Sequence, residues 1–171
     1  WYINHLNLLE INYNASKYFD EIFELISHLY YRVQSPYLSK VNYKIIMAIC
    51  SWLNIKTRIS FSTDYQYKKS KDRNLRLINL LKCSNATEYI TGPSARSYLN
   101  IDYFNSSAIK VNYKKYGSYP VYKQLHGNFN GAVSIVDLLF NTGINNAINF
   151  IKSILIKLKI QLVKFTISCV I

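Results

Sequence analysis

The turn Gly92-Pro93-Ser94-Ala95-Arg96 stands where an apolar stretch ending at Ile90 and Thr91 gives way to helical spacing. Gly92 relieves steric limits, Pro93 suits a first helical position, and the N–H groups of Ser94, Ala95 and Arg96 would converge with the helix dipole on an anion. The turn is therefore a workable carboxylate or phosphate site, and equally a plain helix start. Arg73 and Arg96 offer guanidinium groups to phosphate, although each also suits a solvated helix. His126, in the loop 116–127, is a candidate general base, since an imidazole exchanges protons near neutral pH. Its alternative role is hydrogen bonding that closes the loop. Asp64, at the end of a strand pattern, can orient that base, hold a hydroxyl or cap the following turn. Tyr98, Tyr119 and Tyr122 provide stacking faces in a chain with 16 tyrosines, where packing is the commoner role. Gln124 supplies both a donor and an acceptor to a ligand, or braces the loop. Asp137 and Asn141 lie four apart on one helix face, amid Ile135, Leu138, Leu139 and Phe140, and need partners there. A ligand or a structural network reaching the histidine loop would serve.

The elements that position these groups follow from periodicity. Apolar residues recur at three-to-four spacing over Ile3–Asn12 and Tyr18–Tyr31, which predicts two helices. Ser39 can cap a third, with Val41, Ile45, Ile46, Ile49 and Leu53 on its apolar face and Asn54 ending it. Strand patterns follow at 57–63, 87–91 and 109–114, alternating with helical spacing over Asp72–Cys83, from about Ser94 to Asn105, and from about Val133 to Asn141, closed by Gly143. Short strands separated by helices predict an α/β fold with a layered, mostly parallel, Rossmann-like sheet and flanking helices. In such sheets ligands gather beyond the carboxyl ends of the strands. Residues 144–171 read as a helix leading to a strand, with lysines interrupting every apolar run well below the ~18 residues of a membrane span.

With 171 residues, half of them hydrophobic, the chain can bury one domain core. The net charge of +12 is spread along the sequence, and the abundance of Ile, Asn, Lys and Tyr is a coding bias as readily as a binding surface. A nucleic-acid partner is therefore the less favoured reading. Cys50, Cys83 and Cys169 show no metal-site spacing and are expected to be buried, reduced thiols. No metal or dinucleotide motif is visible, so a cofactor is left unassigned. No secretory leader pattern opens the sequence, so a cytoplasmic location is the default expectation. The first residue is Trp1, which suggests a chain lacking its natural beginning.

Three ordered motifs carry a resemblance. Asn85-Ala86-Thr87-Glu88-Tyr89-Ile90-Thr91-Gly92-Pro93 with Tyr98-Leu99, Tyr119-Pro120-Val121-Tyr122-Lys123-Gln124-Leu125-His126-Gly127, and Ser134-Ile135-Val136-Asp137-Leu138-Leu139-Phe140-Asn141 resemble the WbqC-like protein family. The resemblance covers residues 1 to about 143. It implies a WbqC-like domain with its first strand absent, followed by a divergent tail over 144–171. Lys123 stands where the family usually has proline.

Members of that family are associated with bacterial O-antigen and surface-polysaccharide gene clusters. The resemblance therefore implies a cytoplasmic transferase that moves glycine or another acyl group onto an amino sugar or nucleotide sugar, with the acyl donor unassigned. His126 and Asp64 would be its catalytic residues. Gly92, Pro93, Ser94, Arg96, Tyr98, Arg73, Tyr119, Tyr122, Gln124, Asp137 and Asn141 would contact its substrate. A non-catalytic scaffold within a polysaccharide assembly complex and a basic nucleic-acid-binding module are the alternatives.

Overall fold

The computed structural model describes residues 1–117, 119–157 and 166–169. Its helices are α1 (Tyr2–Tyr13), α2 (Phe19–Arg32), α3 (Leu38–Trp52), α4 (Arg73–Cys83), α5 (Ile101–Ser106) and α6 (Ile135–Lys157). Its strands are β1 (Arg58–Phe61), β2 (Glu88–Thr91), β3 (Lys110–Tyr113) and β4 (Thr166–Cys169). The chain divides into two compact units, one of Trp1–Lys56 with Ser118–Val163, the other of Thr57–Gly117 with Lys164–Ile171.

The first unit is helical. The 3.6-residue period puts Leu6 and Leu9 of α1 and Ile22, Ile26 and Tyr30 of α2 on buried stripes. Asp20 and Glu21 open α2 and Arg32 closes it, each charge complementing the helix dipole at its end. Leu138, Leu139, Phe140 and Ala147 of α6 join the same core. Phe140 is fully buried and lies flat against Tyr13, with centroids 4.5 Å apart, and against Phe19 at 5.9 Å. Helix α3 begins after Tyr37, so Ser39 is inside the helix rather than its cap. The positive φ of Asn54, 53°, does end it as the sequence suggests.

The second unit pairs its strands in parallel, β1 with β4 and β2 with β3, and Thr91 sits opposite Tyr113 at the carboxyl end of the latter pair. Parallel pairing demands a crossover of a dozen or more residues, which 92–109 supplies. Ile78, Leu81, Phe104 and Ile109 form the small core beneath it, and Tyr89 stacks on Phe104. Asp72 caps α4 by accepting from the N–H groups of Asn74 and Leu75. The fold is thus mixed helix and strand with parallel pairing, but among the described residues the strands make two two-stranded sheets rather than one layered sheet.

Two helix boundaries differ from the sequence pattern. The helix expected from about Ser94 to Asn105 is two pieces, a 3-10 turn over Pro93–Ser97 and then α5. Asn100 separates them, because its side chain accepts from the N–H groups of Asp102 and Tyr103 and starts a new helix. At the other boundary Gly143 does break the helix, with φ 72° and ψ 166°, yet helical residues resume after it. That backbone region is open essentially to glycine alone. A β-carbon there would also fall 2.7 Å from the Tyr18 ring.

Gly143→Ala is therefore expected to lower unfolding free energy by about 1–3 kcal/mol in chemical denaturation. Adding Tyr18→Ala should relieve the steric part, so the double variant should lose less than the sum of the single losses.

Candidate functional site

The centre of the first unit's polar chemistry is Asp137, three residues into the helix capped by Ser134 and 9% exposed. A carboxylate buried to that degree needs donors. Tyr122 donates to its Oδ1 at 2.6 Å and Gln124 Nε2 to the same oxygen at 2.9 Å, while Tyr13 donates to Oδ2 at 3.1 Å. Gln124 also donates to the Asn130 carbonyl oxygen at 3.0 Å and accepts from the Asn130 N–H at 2.7 Å, closing the loop upon itself.

This wiring explains how a segment without helix or strand holds its shape. Val121 and Lys123 face solvent, whereas Tyr122 and Gln124 are half-buried against Asp137. Two residues further, His126 Nε2 lies 3.0 Å from the Asn12 carbonyl oxygen. A carbonyl only accepts, so Nε2 carries the hydrogen and the lone pair of a neutral ring resides on Nδ1.

A cleft of about 480 Å³ opens beside this network. His5, Asn12, Asn128, Asn130, Gln124 and His126 supply its polar wall, and Leu8, Leu9 and Val133 its apolar one. Its volume lies in the range of small-molecule pockets. Tyr13 and Asp137 also reach it. Burial, followed by the charge of Asp137 and the hydrogen bond to it, pushes the Tyr13 phenol up from 10.0 to about 12. Tyr122 is raised too, first by burial and then by its bond to Asp137, with Gln124 opposing.

Of the residues singled out in the sequence, Tyr122, Gln124, His126 and Asp137 come together here. Asn141 donates to the Asp137 backbone carbonyl oxygen at 2.8 Å, one turn back along α6, and Tyr119 packs near Gly131. The cleft's other groups, His5, Asn12, Tyr13, Asn128 and Asn130, were not singled out by the motifs. Tyr13 had a readable signal, because it extends the Leu6 and Leu9 stripe of α1 and carries a hydroxyl into that core.

Asp64, Arg73, Gly92, Pro93, Ser94, Arg96 and Tyr98 belong to the second unit. Asp64 Oδ2 accepts from the Phe61 N–H at 2.8 Å and so caps its own turn. The Ala95 N–H donates to the Gly92 carbonyl oxygen at 3.2 Å, so it is not free for an anion as the helix-start argument assumed. Arg96 places its guanidinium 4.0 Å from the Tyr113 ring centroid. Arg73, Pro93, Ser94 and Tyr98 are exposed. Cys83 is exposed as well, against the expectation of buried thiols, with its Sγ donating to the Gln66 carbonyl oxygen at 3.2 Å, while Cys50 is half-buried. The side chain of Cys169 lies outside the described residues. Among the described residues, no group of three or more metal-ligating side chains occurs, and no helix is long and apolar enough to cross a membrane.

Residues 1–149 match the WbqC-like protein family. Over 143 residues the chain is 44% identical to the uncharacterized protein Rv1507c of Mycobacterium tuberculosis (strain ATCC 25618 / H37Rv), a stretch covering 84% of this chain and 61% of that relative. The chain thus aligns with about three-fifths of the curated relative's length. No solved structure matches.

Two consequences of the Asp137 network are measurable. Asp137→Asn leaves three donors facing a group with one acceptor oxygen, and should cost about 1–3 kcal/mol in unfolding free energy. A raised phenol pKa means that the fold favours the protonated form. The stability Tyr13 contributes is therefore complete below pH 10.0 and lost as pH rises through about 12. In alkaline titration, the tyrosinate absorbance missing from Tyr13→Phe should develop late, near pH 12.

Proposed function

The chain belongs to the WbqC-like protein family, and from that premise we propose that the cleft beside Asp137 is the reaction site of a transferase. It would move a glycyl or related acyl group onto an amino sugar or nucleotide sugar of surface-polysaccharide synthesis, in the cytoplasm. The observation that carries this reading is His126, held at Nε2 by the Asn12 carbonyl oxygen on the wall of a 480 Å³ cleft.

In the proposed step an amine or hydroxyl of the acceptor attacks the acyl carbonyl carbon. Its proton passes to His126 Nδ1, the new C–N or C–O bond forms, and the donor's leaving group departs with the electron pair of the broken bond. Asp137 does not take that proton. Its two oxygens hold Tyr13, Tyr122 and Gln124, and through them the loop that carries His126. Asn141 supports the same helix turn, and Tyr119 and Tyr122 brace the loop.

In the second unit, taken by itself, Arg73 and Arg96 are exposed cations suited to an anionic group, with Gly92, Pro93 and Ser94 shaping the turn and Tyr98 exposed beside it.

A second reading, a non-catalytic scaffold, draws on the exposed apolar residues of α1, where Ile3 is 54% and Ile11 71% exposed. One experiment separates the two. Aminoacyl transfer to a nucleotide-linked amino sugar, followed by mass spectrometry, should fall about 10²- to 10⁴-fold in kcat for His126→Ala, with acceptor binding little changed. Turnover that survives that substitution would remove His126 from the chemistry, and wild-type protein that binds without turnover would favour the scaffold.

A further inference from the structure

The cleft holds a second imidazole. His5, on α1, places Nδ1 2.8 Å from the Tyr30 hydroxyl of α2, and the two rings stack with centroids 5.4 Å apart and planes 27° apart. Tyr30 is 7% exposed, and Trp1 packs on it at 5.6 Å. Hydrogen bond and stack together fix the plane and rotation of the His5 ring. The bond uses Nδ1 and leaves Nε2 for a ligand in the cleft that His5 lines.

The rest of the lining has a consistent chemistry. The chain carries 21 Lys and Arg residues, yet no lysine or arginine lines the cleft among the described residues. Its one carboxylate, Asp137, is fully engaged by three internal donors. The polar wall is instead carboxamide and imidazole, and while Gln124 and the Asn12 amide are bonded internally, His5, Asn128 and Asn130 keep polar atoms that no internal bond uses. Asn128 and Asn130 are both exposed, and Asn130 accepts from the Ala132 N–H through its Oδ1 at 2.9 Å. Such a wall matches hydroxyl and amide groups on an uncharged ring. It offers a phosphate no lysine or arginine, and places the Asp137 charge nearby to oppose one.

We propose that His5, clamped by Tyr30, is a second substrate-contacting imidazole of this cleft, and that the cleft takes the uncharged, hydroxyl- and amide-bearing ring of a substrate rather than its phosphates. The proposal rests on the cleft being the substrate site, as in the reading above. It adds a residue and a division of the ligand that transfer activity alone would not reveal.

The test is titration of the whole chain with N-acetylglucosamine and, separately, with inorganic phosphate, following the imidazole NMR signals of His5 and His126 with His28 as the reference. The sugar should move the first two signals and leave His28 in place, whereas phosphate should move neither. His5→Ala should weaken sugar binding about 2- to 10-fold, the range for one lost hydrogen bond. Tyr30→Phe should weaken it less, because the ring stack survives. A residue that only supports the fold would lower the melting temperature and leave the dissociation constant alone, so both are measured. Should His5→Ala fail to fold, Asn128→Ala, which severs no internal bond, carries the same expectation. Phosphate acting on the cleft imidazoles, no sugar response, or an unchanged dissociation constant in the folded variants would overturn the proposal. Sugar binding that depends on His5 in a protein without transfer activity would sink the transferase reading alone. His126-dependent transfer with no sugar in the cleft would sink this one alone.

Discussion

A single buried carboxylate organises the first unit. Asp137 sits in the opening turn of α6, where the helix dipole favours negative charge. Removing a carboxylate from water is costly unless hydrogen bonds replace the water it loses, and here the replacements come from two distant parts of the chain. Tyr13 closes α1, and Tyr122 and Gln124 belong to a loop with no regular structure. One charge therefore ties together a helix end, a helix start and a loop. The same Tyr13 ring lies flat on Phe140, so the polar knot and the aromatic core share a residue.

Much of the helical architecture was legible because burial imposes a period. Ile22, Ile26 and Tyr30 fall on one face of α2, and the pattern located that helix to within a residue at each end. Asn54 and Gly143 were readable as stops because few residues tolerate a positive φ. What periodicity did not report is competition between local caps. Asn100 draws two backbone N–H groups to itself and divides what the apolar spacing reads as one helix. The extent of a sheet is also invisible to local patterning, because parallel partners lie far apart along the chain. β1 meets β4 across more than a hundred residues, and no local signal announces that pairing.

The site was legible in part for the same physical reason. Asp137 stood out as a charge on an apolar helix face, and Tyr122, Gln124 and His126 as polar groups crowded into one short loop. Their partners on α1 were harder to see. Asn12 contributes a backbone carbonyl, which no side-chain motif encodes, and His5 is exposed and reads as ordinary helix surface. Its ring is held by Tyr30, 25 positions away on another helix. In the second unit, Arg96 was singled out for phosphate, while the structure finds its guanidinium over Tyr113, brought near by the pairing of β2 with β3.

Over 121–124 the loop alternates strictly, with Tyr122 and Gln124 turned inward and Val121 and Lys123 turned out. Such a segment counts residues the way a strand does, and one residue more or fewer exchanges its two faces. Surface loops usually tolerate changes in length. One residue inserted between Tyr122 and Lys123 would present Lys123 to the Asp137 knot and withdraw Gln124 from it. In any relative that keeps the knot, alignment gaps in this stretch should come in twos or lie outside it.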